Sequence, residues 1–518
     1  MCLPDPALSL FDAGPPEPCP ARFNLAAHAL AAARGPRAGE IALSVVGAEG
    51  PPERWSHADL EARVLALAGG LLAAGLGRGD RVLLAIGNRV EFPLLFLATV
   101  AAGGVAVPVS TQLTPHELEP LAEAVGPRFA VHEGAAPPLP EGAEAIPLDR
   151  LDVRLAGPPA EFADTGAEDP AFLIFTSGTG GRAKGVLHAQ RSAWARRMMW
   201  QGWYGLEPGD RVLHAGAFNW TYTLGAGLID PWAAGASTVI HTGPRDAGIW
   251  PRLAAAENAT IFAAVPGVYR QMLRAGGALH ASFAGLRHGL TAGEKMPEAL
   301  AAAWTEATGK PLYEALGMSE ISTYVSSSPA VAPRAGTAGR PQQGRRVAVV
   351  DAAGAPAAVG AEGMLAVSRR DPGLMLGYWQ DAAGTAAAMA GEWFLTGDRA
   401  RMDADGYVTH LGRADEVMTA LGYRVSPLEV EAAMEAHPGV AEIAVAELPV
   451  RADLALIAGF VVPRGGWPGE AALTDWAAGR LAGYKIPKLW IEVPALPRTP
   501  NGKVIRRSLV AAHRRDTG

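Results

Sequence analysis

Short apolar runs bounded by Gly, Pro or Asp alternate along most of the chain with longer Ala- and Leu-rich segments. The first kind reads as buried strands and the second as helices. Strands are predicted at Arg81–Ile86, Val105–Val107, Thr238–His241 and Thr260–Ala264, and helices from Phe92, over Pro115–Ala124 and over Trp250–Glu257. This alternation predicts an α/β fold in layers with largely parallel sheets. Residues 134–170, rich in Pro, Ala, Gly and Glu, read as a loop-heavy connection before a strand at Phe172–Phe175. Around Gly391–Gly412 the pattern changes to short strands and turns, a small β subdomain. A new unit begins after Gly412. Ser426 is placed to cap a helix with Pro427 in its first position. Strands at Ala441–Glu447 and Leu454–Val462 and a helix at Ala472–Leu481 follow. The expected division is a large multi-subdomain N-terminal domain, 1–412, and a small α+β C-terminal domain, 413–518.

Composition narrows the class. Of 518 residues, 49% are hydrophobic and 19% charged, which supports a sizeable core and excludes a disordered chain. With 45 basic and 52 acidic residues the net charge is −7, so a chain-wide nucleic-acid footprint is excluded. Cys2 and Cys19 are the only cysteines, too few for a disulfide scaffold or a cysteine-based zinc site. The N-terminus has no basic region, and Pro and Asp interrupt it, unlike a signal peptide. The longest uncharged run, Phe92–Val109, is divided by Gly103-Gly104 and Pro108 into a helix and a strand rather than a membrane span. A cytoplasmic protein without a membrane anchor is expected. After Trp476 nine basic residues face only Glu492 and Asp516. That tail is either a solvated basic face or a cationic rim for phosphates.

The strand at Phe172–Phe175 runs into Thr176-Ser177-Gly178-Thr179-Gly180-Gly181-Arg182-Ala183-Lys184-Gly185. Glycines let backbone N–H groups approach phosphate oxygens, hydroxyls donate hydrogen bonds, and Lys184 supplies charge. Ala183 before Lys184 and Gly185 after it exclude a Walker A loop.

The segment resembles the TSGTTGxPKG signature loop of the adenylate-forming superfamily, which holds acyl-CoA synthetases, peptide-synthetase adenylation domains and luciferases. Gly180 stands where Ser or Thr is usual and Ala183 where Pro is usual. Further matches follow in family order, from Thr176 to Lys503. Tyr313–Glu320 is similar to the YGxTE segment, with Leu316 in place of Tyr; the resemblance implies ATP contacts from Ala315 and Ser319 and Mg²⁺ on Glu320. Thr291-Ala292-Gly293-Glu294 looks like the segment lining the adenine and acyl pockets. Thr396-Gly397-Asp398 resembles the TGD motif, whose carboxylate suits the ribose hydroxyls. Gly412-Arg413-Ala414-Asp415-Glu416 resembles the GRxDD hinge, which implies nucleotide contact from Arg413 and a pivot at Asp415. Gly422, Tyr423 and Arg424 would then face the coenzyme A tunnel. Pro497–Lys503 matches PxTxxGK, whose lysine enters the site during adenylation. Each motif alone has a plain reading as a turn, cap or solvated lysine; in register along one chain they reinforce one another.

The implied activity is an ATP-dependent acid–coenzyme A ligase. The acid attacks the α-phosphorus of ATP, releasing pyrophosphate, and the thiol of coenzyme A then displaces AMP. Lys503, Glu320, Thr176 and Lys184 are expected to serve the first step, with Ser177, Gly178, Thr179 and Gly180 cradling phosphates. The acyl pocket is expected from Trp220, Tyr222, Val265, Ala292, Gly317 and Met318. Gly317 stands where acetate-selective relatives carry tryptophan, and no cation is evident near Trp220 or Val265. The acid is therefore expected to be an apolar monocarboxylate, medium-chain or aromatic. Expected partners are the acid, ATP and coenzyme A, with the chain itself as a homodimer; nucleic acid is not among them. The alternative is a stand-alone adenylation enzyme that loads a carrier protein.

Overall fold

The computed structural model describes all residues except 1–6, 177–183, 245, 415–417, 421–422, 452–453, 482, 484, 500–501 and 518. Two large sheets dominate. In the first, five parallel strands, Glu144–Pro147, Phe129–His132, Arg81–Ala85, Val105–Pro108 and Pro170–Thr176, are extended by antiparallel Lys184–Ala189 and Gly377–Tyr378. In the second, Ile41–Val46, Ser237–His241, Arg211–His214, Ile261–Ala264, His288–Ala292 and Leu312–Met318 run parallel. Its edges, Glu53–Ser56 and Ser322–Ser326 with Arg340–Pro341, are antiparallel.

Most predicted elements form within a residue or two of their expected bounds; the strand at Ala441–Glu447 runs on to Arg451, and the helix at Ala472–Leu481 spans Glu470–Ala478. Helix Pro115–Val125 shows why: Thr114 and Glu117 close a capping box, Pro115 takes the first turn, and Gly126 ends it in the left-handed conformation. The apolar run from Phe92 becomes helix Glu91–Ala101, buried at every position after Glu91, then strand Val105–Pro108. Among the described residues no helix is long and apolar enough to cross a membrane.

The connection 134–170 holds more structure than expected. Glu144–Pro147 adds the last strand to the first sheet, too short a segment to show a period. Further on, the Leu155 and Pro158 carbonyls lie so close to helix His57–Ala73 that a β-carbon at Gly70 or Gly69 would overlap them. The segment after Gly391 forms antiparallel Trp393–Met402 and Val408–Arg413 in a six-stranded sheet.

Beyond it, Val440–Arg451 and Leu454–Pro463 pair antiparallel, and helix Glu470–Ala478 leads to Leu489–Glu492, parallel to Leu454–Pro463. Side chains alternate between the faces of this sheet as strand geometry demands. Ile443 and Val445 pack with Val430, Met434 and Leu473, while Ala444 and Ala446 pack with Leu496 and Leu509.

Candidate active site

Strand Pro170–Thr176 turns back into Lys184–Ala189 with Thr176 opposite Lys184, so the pairing fixes both ends of the glycine-rich loop. Ser177, Gly178, Thr179 and Gly180 lie outside the described residues. The Lys184 ammonium sits 4.6 Å from the centre of the Tyr378 ring, and the Tyr378 hydroxyl donates to Glu320 Oε1 at 2.8 Å. Tyr378 belongs to the edge strand paired with Lys184–Ala189. The carboxylate of Glu320 is thereby tied to the loop's lysine through one aromatic side chain. Ser319, beside it, accepts a hydrogen bond on its carbonyl from His188 Nε2 at 2.8 Å.

A second group gathers around Asp398. Its carboxylate is buried, 3.2 Å from His410 Nε2 and 3.7 Å from Arg413 Nη1. Burial pushes the carboxyl group up, but His410, Arg413 and Lys503 outweigh it and hold the group below the usual range. Arg413 also donates to the Thr396 carbonyl at 2.7 Å, and a β-carbon at Gly397 would collide with its guanidinium. The TGD segment and Arg413 thus face each other across paired strands, with Asp398 opposite Arg413.

Lys503 acts on Asp398 from the C-terminal unit. It stands on a tight turn closed by Gly502 N to Thr499 O at 2.8 Å, with Gly502 at φ +92°. Arg498 anchors this turn. Its guanidinium reaches Gly502 O at 2.7 Å, Glu294 Oε1 at 3.1 Å and Glu442 Oε2 at 2.9 Å. Glu294, placed by the sequence among the nucleotide contacts, is occupied with this pair; burial raises its pKa against the pull of Arg498.

The Trp220 ring packs onto Gly293, whose φ of +92° and lack of a β-carbon permit that approach. Trp220 meets Tyr222 edge-on at 5.3 Å, and Tyr222 donates to Leu290 O at 3.2 Å. Ala292 and Ala315 are buried partners on adjacent strands. Val265 precedes helix Pro266–Ala275, close to Gly502. Met318 ends strand Leu312–Met318 and is half-buried. Gly317 sits at a register break, where a β-carbon would come within 2.7 Å of Ser322 O and Thr323 Cα. Asp415 and Gly422 lie outside the described residues; Tyr423 and Arg424 fall on strand Tyr423–Val425, paired with Met418–Ala420.

Sequence reading missed Tyr378, His410, Arg498 and Arg196. Tyr378, His410 and Arg196 belong to no contiguous motif, and Arg498 sits inside one whose lysine carries the resemblance; only three-dimensional pairing reveals what they do. The sequence reading found no cation near Trp220 or Val265; one does stand close in three dimensions, though it is already paired. Arg196, at the end of the short helix Ser192–Ala195, lies next to Thr221 and Gly225 and is paired with buried Asp230. A cation from a separate segment is invisible to inspection of the Trp220 stretch.

This layout of a glycine-rich segment, a buried carboxylate on the strand that carries the TGD motif and a lysine from a second unit defines a class. The chain belongs to the AMP-binding enzyme family: residues 31–379 match that family, and 429–503 match its C-terminal domain. It is 32% identical over 471 residues to 3-hydroxybenzoate–CoA ligase of Aromatoleum sp. (strain CIB), covering 87% of this chain and 90% of that one. It is also 32% identical over 466 residues to benzoate–CoA ligase of Thauera aromatica, covering 85% and 87%. Among solved structures, the anthranilate CoA ligase AuaEII in complex with anthranoyl-AMP superposes with a TM-score of 0.87 at 28% identity, covering 95% and 98%.

Proposed function

We propose that this chain is an AMP-forming carboxylic acid–coenzyme A ligase whose substrate is an aromatic monocarboxylic acid. One observation carries the reading: Arg498, bonded to Gly502 O at 2.7 Å and to Glu294 Oε1 at 3.1 Å, holds the turn that carries Lys503 against the Thr291–Glu294 segment. A lysine of the C-terminal unit held there is what transfer to the α-phosphorus requires.

Negative charge builds on phosphoryl oxygens as the acid attacks and pyrophosphate leaves, so fixed cations and donors placed in advance lower the barrier. Lys503 and Lys184 supply charge, the 176–184 loop supplies donors, and Asp398 accepts from the ribose hydroxyls. Glu320 offers a carboxylate, and among the described residues no cluster of three ligating side chains surrounds it. That donor set fits a magnesium ion held by one carboxylate together with substrate phosphates. Such an ion neutralises charge on the phosphate oxygens. Coenzyme A then displaces AMP after the C-terminal unit, 413–518, turns about Asp415 and carries Lys503 away.

Pyrophosphate release across benzoate, hydroxybenzoates and C2–C10 fatty acids, with free coenzyme A as acceptor, tests this. Aromatic acids are expected to give the highest kcat/KM and acyl-CoA as product. A preference for fatty acids would overturn the substrate class. Transfer to a carrier protein but not to coenzyme A would move the reading to a carrier-loading enzyme.

A further inference from the structure

Between Ser319 and the helical segment 221–229 lies a narrow cavity with mostly apolar walls, among them Phe172, Leu224, Ile229 and Ile321. Its polar side chains come from several segments, Thr221 and Arg345 among them. Ser192 and Arg196, one helical turn apart, project toward the same side. Ser322 enters from the edge strand, and His188 from the strand behind the phosphate loop.

The Arg196–Asp230 pair is closed and neutral. Arg196 Nε and Nη2 reach the Asp230 oxygens at 2.7 to 3.0 Å, Nη1 donates to Ser322 Oγ at 2.6 Å, and Nη2 to Tyr204 Oη at 3.1 Å. Tyr204 itself donates to Asp230 Oδ2 at 2.8 Å. Room for the guanidinium exists only because residue 225 is glycine; a β-carbon there would overlap it. A charge so fully matched attracts no second carboxylate.

Three other polar atoms at this cavity are unmatched: Arg345 Nε, on a guanidinium already paired with buried Asp371 at 2.6 Å, His188 Nδ1 and Ser192 Oγ. His188 is 3% exposed; its Nε2 donates to Ser319 O, so its Nδ1 is an acceptor, and that nitrogen has no partner among the described residues. Ser192, 6% exposed, likewise leaves its hydroxyl unpartnered. Burial holds His188 neutral, lowering its pKa to about 4. Buried polar groups left without partners are costly, so a site carrying them discriminates in favour of a ligand that supplies the missing hydrogen bonds.

We infer that this cavity is the distal end of the acid pocket and selects an aromatic acid bearing a hydroxyl, with His188 Nδ1 accepting from that hydroxyl and Ser192 donating to it. This replaces the expectation of a plain apolar acid. It rests on the ligase reading above, because Ser319, which lines the cavity, adjoins Glu320, the carboxylate that reading assigns to the ATP side. An acid without the hydroxyl leaves both groups unmatched, and a dicarboxylate meets an arginine already neutralised by Asp230.

The test is kcat/KM for benzoate, for 2-, 3- and 4-hydroxybenzoate and for isophthalate, on the intact enzyme and on Ser192→Ala and His188→Phe. The best hydroxybenzoate is expected to exceed benzoate by at least about 10-fold and isophthalate by more. Ser192→Ala should reduce the hydroxybenzoate-to-benzoate ratio by on the order of 10-fold, that is, one hydrogen bond. The ratio compares two acids on one protein, so a general loss of folding or turnover leaves it unmoved. If His188→Phe fails to fold, Ser192→Ala decides alone. Equal use of benzoate and hydroxybenzoates, or a ratio unaltered in Ser192→Ala, overturns the inference and leaves the ligase reading standing. No pyrophosphate release with any acid takes down the ligase reading and this inference with it.

Discussion

The phosphate side and the acid cavity of this site are built in opposite ways. On the phosphate side, charged groups stand on turns and strand ends from both units: Lys184, Asp398, Arg413 and Lys503, with Lys184 and Lys503 exposed. At the acid cavity the charges are buried and matched in pairs, Arg196 with Asp230 and Arg345 with Asp371. The first must gain and release a highly charged nucleotide and must move between two half-reactions. The second must exclude water and hold one shape. Removing a charge should therefore cost rate on one side and stability on the other.

The largest expected effect is on the cavity side. Breaking a buried pair leaves an uncompensated charge, so Asp230→Ala should lower folding stability by about 3–5 kcal/mol, read as a fall in the urea midpoint. Replacing both partners with apolar residues of similar volume should recover most of that loss. If Asp230→Ala unfolds at the wild-type midpoint, Arg196 has solvent or another partner, and the contrast between the two regions collapses.

On the phosphate side, Lys503→Ala should leave the urea midpoint nearly unaltered and slow acyl-AMP formation by about 10²–10³-fold. Thioester formation from preformed acyl-AMP should be little affected. Single-turnover measurement of both half-reactions separates the two. Equal losses would place Lys503 in a structural role. Tyr378→Phe should be milder: loss of the hydroxyl that donates to Glu320 is expected to reduce kcat for adenylation by roughly 10-fold, without a matching change in the second half-reaction.

The same contrast explains what the amino-acid sequence disclosed. Thr176–Lys184, Thr396–Asp398 and Pro497–Lys503 are each short contiguous segments, so the groups they offer are neighbours along the chain. Their type and spacing therefore survive in one dimension. The sheets were legible for a similar reason: each parallel strand is a short apolar run with its own punctuation. The cavity is the reverse case. His188, Ser192, Arg196, Asp230 and Ser322 are each unremarkable in sequence. They stand on separate strands and helical segments, and only the tertiary structure brings them together. Arg498 was hidden differently, inside a recognised motif whose lysine drew the attention, although it is the residue that ties the turn to Glu294.

One carboxylate stands between the two regions. Glu314 lies on strand Leu312–Met318, which leads to Gly317, Ser319 and Glu320, and its Oε1 accepts from Met296 N at 3.0 Å. Burial raises its pKa to about 7, against the opposing pull of that N–H and of Lys295. The unfolded chain releases this proton near pH 4.5, whereas the folded protein keeps it until about pH 7. Folding stability should therefore fall as pH rises through that window and be level above it. Glu314→Gln keeps an acceptor for Met296 without a charge to bury, so its stability should not show this decline. Between pH 5 and pH 8 the wild type should lose roughly 1–2 kcal/mol more than the variant, measured by urea denaturation at each pH. Parallel pH profiles would show that Glu314 is solvated like an ordinary surface carboxylate, and that the desolvated environment of the cavity ends short of this strand.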